Sequence, residues 1–156
     1  MKIRDAVAGD AREMSRLLQE LTAAGKRTSP DDADFVRAHY IGGEGKVRCS
    51  LAEDAGGLLG FQSLRRAAAG NVYDVAPGWG VIGTHIRPSA ARRGVGRALF
   101  AVTLRAAEDA GLPSVDATIA ADNPEALAYY EAMGFRTYRT PEGRVCKRFD
   151  LAARGA

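Results

Sequence analysis

A strand, a turn with two glycines and three arginines, then a helix: this order constrains the chain more than any other feature. The run is Val81-Ile82-Gly83-Thr84-His85-Ile86-Arg87-Pro88-Ser89-Ala90-Ala91-Arg92-Arg93-Gly94-Val95-Gly96-Arg97-Ala98-Leu99. The first amides of a helix have no partner inside it and favour an anion on its axis. Glycine lets a bulky group come close to the backbone. Arg92, Arg93 and Arg97 add charge at the rim. The segment Arg92, Arg93, Gly94, Val95, Gly96, Arg97 therefore reads as a cradle for a diphosphate. The plainer alternative is a tight turn with solvated arginines, because a lone GxG is a weak signal. A dinucleotide fingerprint fits poorly. Leu99 stands where a third glycine belongs, and Asp116 opens a strand instead of closing one.

The rest of the chain supplies a frame for that turn. Its 156 residues suit one domain, expected to span 1–156. A compact domain of this size buries roughly 68–70% of its unfolded surface and needs no disulfide. Residues 1–6 read as a strand. Asp10 is expected to cap a helix carrying Ala11, Met14, Leu17, Leu18 and Leu21, closed by Gly25. Ser29-Pro30-Asp31-Asp32 opens a second helix with Pro30 in its first turn, ending near Gly42-Gly43. Strands are expected at 46–53 and 58–66 about the turn Asp54-Ala55-Gly56-Gly57. After a loop at Gly70-Asn71, a strand region interrupted at Pro77-Gly78 finishes with Val81 to Ile86. The helix after the glycines presents Val95, Leu99, Val102, Ala106 and Ala110 and stops at Gly111-Leu112-Pro113. Strand 114–120, a helix from Asn123-Pro124 to Gly134, and strands 135–140 and 144–150 complete an α/β pattern with helices on both faces of a mixed sheet.

Charge and cysteine content narrow the partners. Lys and Arg number 22 against 19 acids, a formal charge of +3. That mild excess suits a small anion better than a nucleic acid, which needs a broad phosphate footprint. Cys49 and Cys146 are far apart and read as buried thiols in a reducing compartment. Met1-Lys2-Ile3-Arg4-Asp5 has no apolar run suited to a secretory leader, and no stretch approaches the ~20 apolar residues of a membrane span. A cytoplasmic protein with no membrane partner is expected.

A second motif follows the next strand: Asp122-Asn123-Pro124-Glu125-Ala126-Leu127-Ala128-Tyr129-Tyr130-Glu131-Ala132-Met133-Gly134-Phe135. Together the two segments resemble the GNAT superfamily of acetyl-CoA-dependent acyltransferases. That family pairs a strand–GxG–helix with Asn-x-x-Ala-x-x-x-Tyr-Glu-x-x-Gly-Phe. Here Asn123, Ala126, Tyr130, Glu131, Gly134 and Phe135 fall in register. The resemblance implies a GNAT-like α/β (α+β) domain: a mixed, mostly antiparallel sheet of about six or seven strands with a splayed central pair, flanked by about four helices. It implies acetyl-CoA as co-substrate, its diphosphate on the amides of Arg92 to Arg97 and its pantetheine arm between the strands. Asn123 would hydrogen-bond that arm, Tyr130 would lie near the thioester sulfur, and a backbone amide near Ile86 would polarise the thioester carbonyl. No metal is expected. A homodimer is allowed by the resemblance and specified by no residue. One departure stands out: Ala91 occupies the place, three before Gly94, where relatives usually have Arg or Gln.

The chemistry then sets requirements. An alkyl ammonium has a pKa near 10.4, so freeing its nitrogen at pH 7 costs about 4–5 kcal/mol. A general base, direct or through water, offsets much of that, and an acid helps the thiolate leave. The strand before Ile86 has no carboxylate, so His85 is the nearest candidate base, with a structural or substrate-binding role as its alternative. Asp74 and Asp116 are remoter. Tyr130 is the candidate acid or an amphipathic core residue. Asn123 has a second reading, compatible with the first, as a helix cap. Asp31, Asp32 and Asp34 either attract a cationic acceptor or complement a helix dipole. Two functions follow: N-acetyl transfer to a primary amine of a small molecule or peptide N-terminus in a ternary complex, or a non-catalytic acyl-CoA-binding regulatory domain.

Overall fold

Apolar residues at alternate positions, broken by glycine turns, build most of the sheet. The computed structural model describes residues 1–151. Its strands are β1 (Lys2–Asp5), β2 (Lys46–Asp54), β3 (Gly57–Arg66), β4 (Gly80–Ile86), β5 (Ser114–Ala120), β6 (Arg136–Arg139) and β7 (Arg144–Asp150). Its helices are α1 (Ala11–Ala23), α2 (Ala33–Val36), α3 (Val95–Asp109) and α4 (Pro124–Met133). The seven strands form one sheet in the order β1-β2-β3-β4-β5-β7-β6. Only β4 and β5 run parallel, as the α3 crossover between them requires. The expected fold class, with its mixed sheet and four helices, is the one observed.

Each face of the sheet carries its own core. Met14, Leu17 and Leu18 of α1 pack with Val36, Tyr40, Leu51 and Phe61 on one face. Leu51 and Phe61 are cross-strand partners, so their side chains share that face. On the other face Phe100 and Ala107 of α3 meet Ile82, Val115, Ile119, Tyr130 and Phe135. Cys49 and Cys146 are buried and unpaired in β2 and β7. Among the described residues no helix is long and apolar enough to cross a membrane.

Several local expectations need correction. Asp10 does not cap α1 with its side chain. A short 3₁₀ turn, Ala8–Asp10, precedes the helix, and the Asp10 carboxylate accepts from Val7 N–H at 2.8 Å while pairing with Arg4. Pro30 lies outside the second helix. Asp32 is the cap, accepting from Phe35 N–H at 3.0 Å, and α2 passes directly into a wider π turn, Arg37–Ile41. Residues 67–79 hold no strand, because Asn71 organises them as a loop: its side chain bonds the carbonyls of Ala68 and Val75 and the N–H of Val75. The fully buried positions of α3 are Val95, Leu99, Phe100, Thr103 and Ala107, while Val102, Ala106 and Ala110 are only partly covered. That helix is apolar on more than one side, so periodicity alone found Val95 and Leu99 and missed Phe100, Thr103 and Ala107.

Candidate active site

The site begins where two parallel strands part. β4 pairs with β3 over its full length, and β5 does the same with β7. Between β4 and β5 only Gly80↔Val115 and Val81↔Asp116 are in register. Beyond them the strands diverge, and a cleft of about 870 Å³ opens. Arg87 donates its N–H to Leu59 O at 2.8 Å. Antiparallel alternation then turns the N–H groups of Ile86 and Thr84 away from β3, into the gap.

The glycine turn closes one end of this cleft. Pro88–Ala90 forms a 3₁₀ turn, Arg92 takes φ +64°, and Gly94 caps α3 at φ +79°. The first helical bond runs from Ala98 N–H to Gly94 O at 3.1 Å. The amides of Val95, Gly96 and Arg97 therefore point outward from a 15-residue helix, with its positive end behind them. Arg92 and Arg97 line the cleft and make no ion pair among the described residues. Arg93 turns away and bonds Asp54 of the β2–β3 hairpin at 3.0 Å. The glycines meet different demands. A Cβ on Gly94 would touch nothing, so its positive φ is the constraint. A Cβ on Gly96 would stand 2.5 Å from the Tyr129 ring, so close packing of α4 sets that one.

α4 supplies the opposite wall. Asn123 caps it, accepting from Ala126 N–H at 3.1 Å, and keeps its amide nitrogen for other partners. Tyr130 is buried, and its hydroxyl lies 2.7 Å from Thr84 Oγ1. Burial raises this phenol above the ordinary tyrosine value, so it stays protonated at neutral pH. A chain of hydrogen bonds joins it to the turn. Gln62 Nε2 donates to Thr84 Oγ1 at 2.9 Å and to Tyr129 OH at 3.0 Å, and Tyr129 OH donates to Gly96 O at 2.7 Å.

His85 also lines the cleft, on the α1 side, between the rings of Phe61 and Tyr40. Its Nε2 is buried without a partner. Burial above all, with the charges of Arg27 and His39, pushes the imidazole down to about 3. It is neutral at pH 7 and a weak base. Each carboxylate named from the sequence is engaged elsewhere or remote. Asp116 accepts from Tyr138 OH and from Thr118 OH, the latter at 2.7 Å. Asp31 accepts from Thr22 OH, Asp32 caps α2, and Asp34 pairs with Arg37. Asp74 is exposed in the 67–79 loop and does not line the cleft.

The cleft thus gathers Ile86, Arg92, Gly94, Val95, Gly96, Arg97, Asn123, Tyr130 and His85, and leaves out Arg93. Sequence reasoning missed Gln62, Thr84, Tyr129 and Arg27. Gln62 alone carried a visible signal, a polar residue in the middle of the run Leu58-Leu59-Gly60-Phe61-Gln62-Ser63-Leu64.

Comparison with known proteins bears on family and fold. Residues 12–135 match the family described as Acetyltransferase (GNAT) family. The mycothiol acetyltransferase of Streptomyces avermitilis is 38% identical over 90 residues, 58% of this chain and 27% of that protein. That of Streptomyces coelicolor is 39% identical over 90 residues, with the same coverage. The chain spans little more than a quarter of the length of these curated relatives. Among solved structures, a GCN5-related N-acetyltransferase from Kribbella flavida superposes with a TM-score of 0.79 at 22% identity, covering 96% of this chain and 97% of that one. The yncA protein of Salmonella typhimurium, solved with its cofactor acetyl-CoA, gives 0.71 at 17% identity, covering 96% and 93%.

Proposed function

The chain belongs to the acetyltransferase (GNAT) family, and on that footing we propose that it transfers an acetyl group from acetyl-CoA to a primary amine by direct attack in a ternary complex. One observation carries this reading: the outward amides of the α3 N-terminus and the open gap between β4 and β5 belong to the same cleft. The amides suit a diphosphate, and the gap suits an extended arm that leads away from it.

In this reading the amides from Arg92 to Arg97 hold the diphosphate, with Arg92 and Arg97 adding charge. The Asn123 amide and the freed backbone of β4 hold the pantetheine arm. The Ile86 N–H faces the thioester carbonyl and stabilises the oxyanion that forms as nitrogen attacks. Tyr130 donates a proton toward the departing sulfur, a modest aid because a thiol pKa near 8.5 makes thiolate a good leaving group. His85 accepts a hydrogen bond from the incoming amine or from a water next to it. Its depressed pKa means that the amine's proton leaves through solvent. Holding both reactants in one cleft supplies a large share of the acceleration. Two unpaired, buried cysteines support a reducing compartment, and a cytoplasmic location is part of the proposal.

The test is thiol release from acetyl-CoA with a panel of primary amines. Saturable release with at least one amine is expected. Acetyl-CoA binding without turnover on any amine would instead favour a regulatory acyl-CoA-binding domain.

A further inference from the structure

We propose that the acceptor is an amino acid: its α-carboxylate binds Arg27, and its amine sits against His85. This inference rests on the acetyl-transfer reading above and assigns the substrate class of the same cleft.

Two polar atoms motivate it. Arg27 Nε and His85 Nε2 are both buried and without a hydrogen-bond partner, and both residues line the cleft. Tyr40 connects them. Arg27 donates to Tyr40 OH at 3.1 Å, and the Tyr40 and His85 rings lie 5.1 Å apart, edge to face. The same Arg27 nitrogen, Nη2, also donates to Pro30 O at 2.7 Å. With both Nη2 hydrogens engaged, the free Nε–H can give one charge-assisted hydrogen bond to a carboxylate oxygen. A neutral imidazole nitrogen with a free lone pair accepts an N–H.

Charge points the same way. Among the described residues that line the cleft, Glu125 is the sole carboxylate, and Lys26 neutralises it at 2.8 Å. Glu20, on the adjoining face of α1, pairs with Arg87 at 2.9 Å. Among the described residues that line this cleft no unpaired acid remains to receive a polycationic amine, Asp122 lying just outside it, while Arg27 makes no ion pair among the described residues. An acceptor that brings its own carboxylate satisfies both orphaned atoms at once. A bare amine satisfies one of them and leaves the Arg27 Nε–H without an acceptor.

The test compares three acceptor series by thiol release: L-amino acids, the matching amino-acid amides, and the matching decarboxylated amines. The acids are expected to show the highest kcat/KM. In Arg27→Gln the acid-to-amide ratio of kcat/KM should fall about ten- to a hundredfold, the worth of one hydrogen bond to a charged group. Arg27→Lys should restore part of it. Thermal melting and acetyl-CoA calorimetry establish that the variants fold; if they do not, the wild-type series alone decides. Amides or decarboxylated amines turned over as well as the acids, or an unchanged ratio in Arg27→Gln, would overturn this inference and leave acetyl transfer standing. No release with any acceptor would overturn both.

Discussion

Tyr129 closes over Gly96: its hydroxyl donates to the Gly96 carbonyl at 2.7 Å, and a methyl group at position 96 would stand 2.5 Å from its ring. The head of α3 and the wall of α4 are thereby locked in one arrangement. Gly96→Ala gains up to ~1 kcal/mol of helix propensity but overpacks this contact, at a cost of about 1–3 kcal/mol. Overpacking wins, so the variant should melt earlier in urea and bind acetyl-CoA more weakly by calorimetry. Equal stability would show that the contact yields freely.

Gly94→Ala should act by another route. No atom lies near its Cβ, but φ +79° costs a non-glycine residue about 1–2 kcal/mol. Acetyl-CoA affinity should drop as the turn relaxes, while Tyr129 and its bond to Gly96 stay in place. Mutant affinity equal to wild type would remove the left-handed cap from the account.

Tyr130→Phe removes the hydroxyl beside Thr84 and little packing. Turnover should fall about tenfold or more, the low end expected for a positioned acid with an able leaving group, while acetyl-CoA binding changes within about twofold. Steady-state kinetics and calorimetry on the same preparation separate the two. Unchanged turnover would take Tyr130 out of the mechanism.

His85 should leave a mark on stability. Its folded pKa, near 3, lies below the ~6.5 of an unfolded histidine. Above pH 6.5 neither state holds the proton, and the full contribution to stability is present. Below that, the unfolded chain binds a proton that the fold excludes, and stability is lost progressively down toward pH 3. Between pH 7.5 and 5.5 the loss is about 1.4 kcal/mol, with carboxylates still ionised. Urea titrations of wild type and His85→Gln at these two pH values should show a shallower decline in the variant. Parallel declines would contradict the burial of this imidazole.

Much of this was legible in the residues. The strand–glycine–helix run and the Asn123-to-Phe135 motif marked both walls of the cleft, because left-handed backbone at Gly94 and Gly134 and close packing at Gly96 leave a pattern in sequence. What stayed hidden depends on distant pairs. Gln62 meets Tyr129 across 67 positions and Thr84 across 22, and no local periodicity encodes either contact. The π turn after α2 was hidden for a related reason. Arg65, far along the chain, gathers the carbonyls of Gly42, Glu44 and His39 and holds that turn shut.

The central claim is that the amides between Arg92 and Arg97 receive the paired phosphates of coenzyme A. A crystal structure of the chain with acetyl-CoA tests it most directly. The account predicts the diphosphate on those amides and the pantetheine arm between β4 and β5. A coenzyme bound elsewhere, or a turn left empty at saturating ligand, would contradict it.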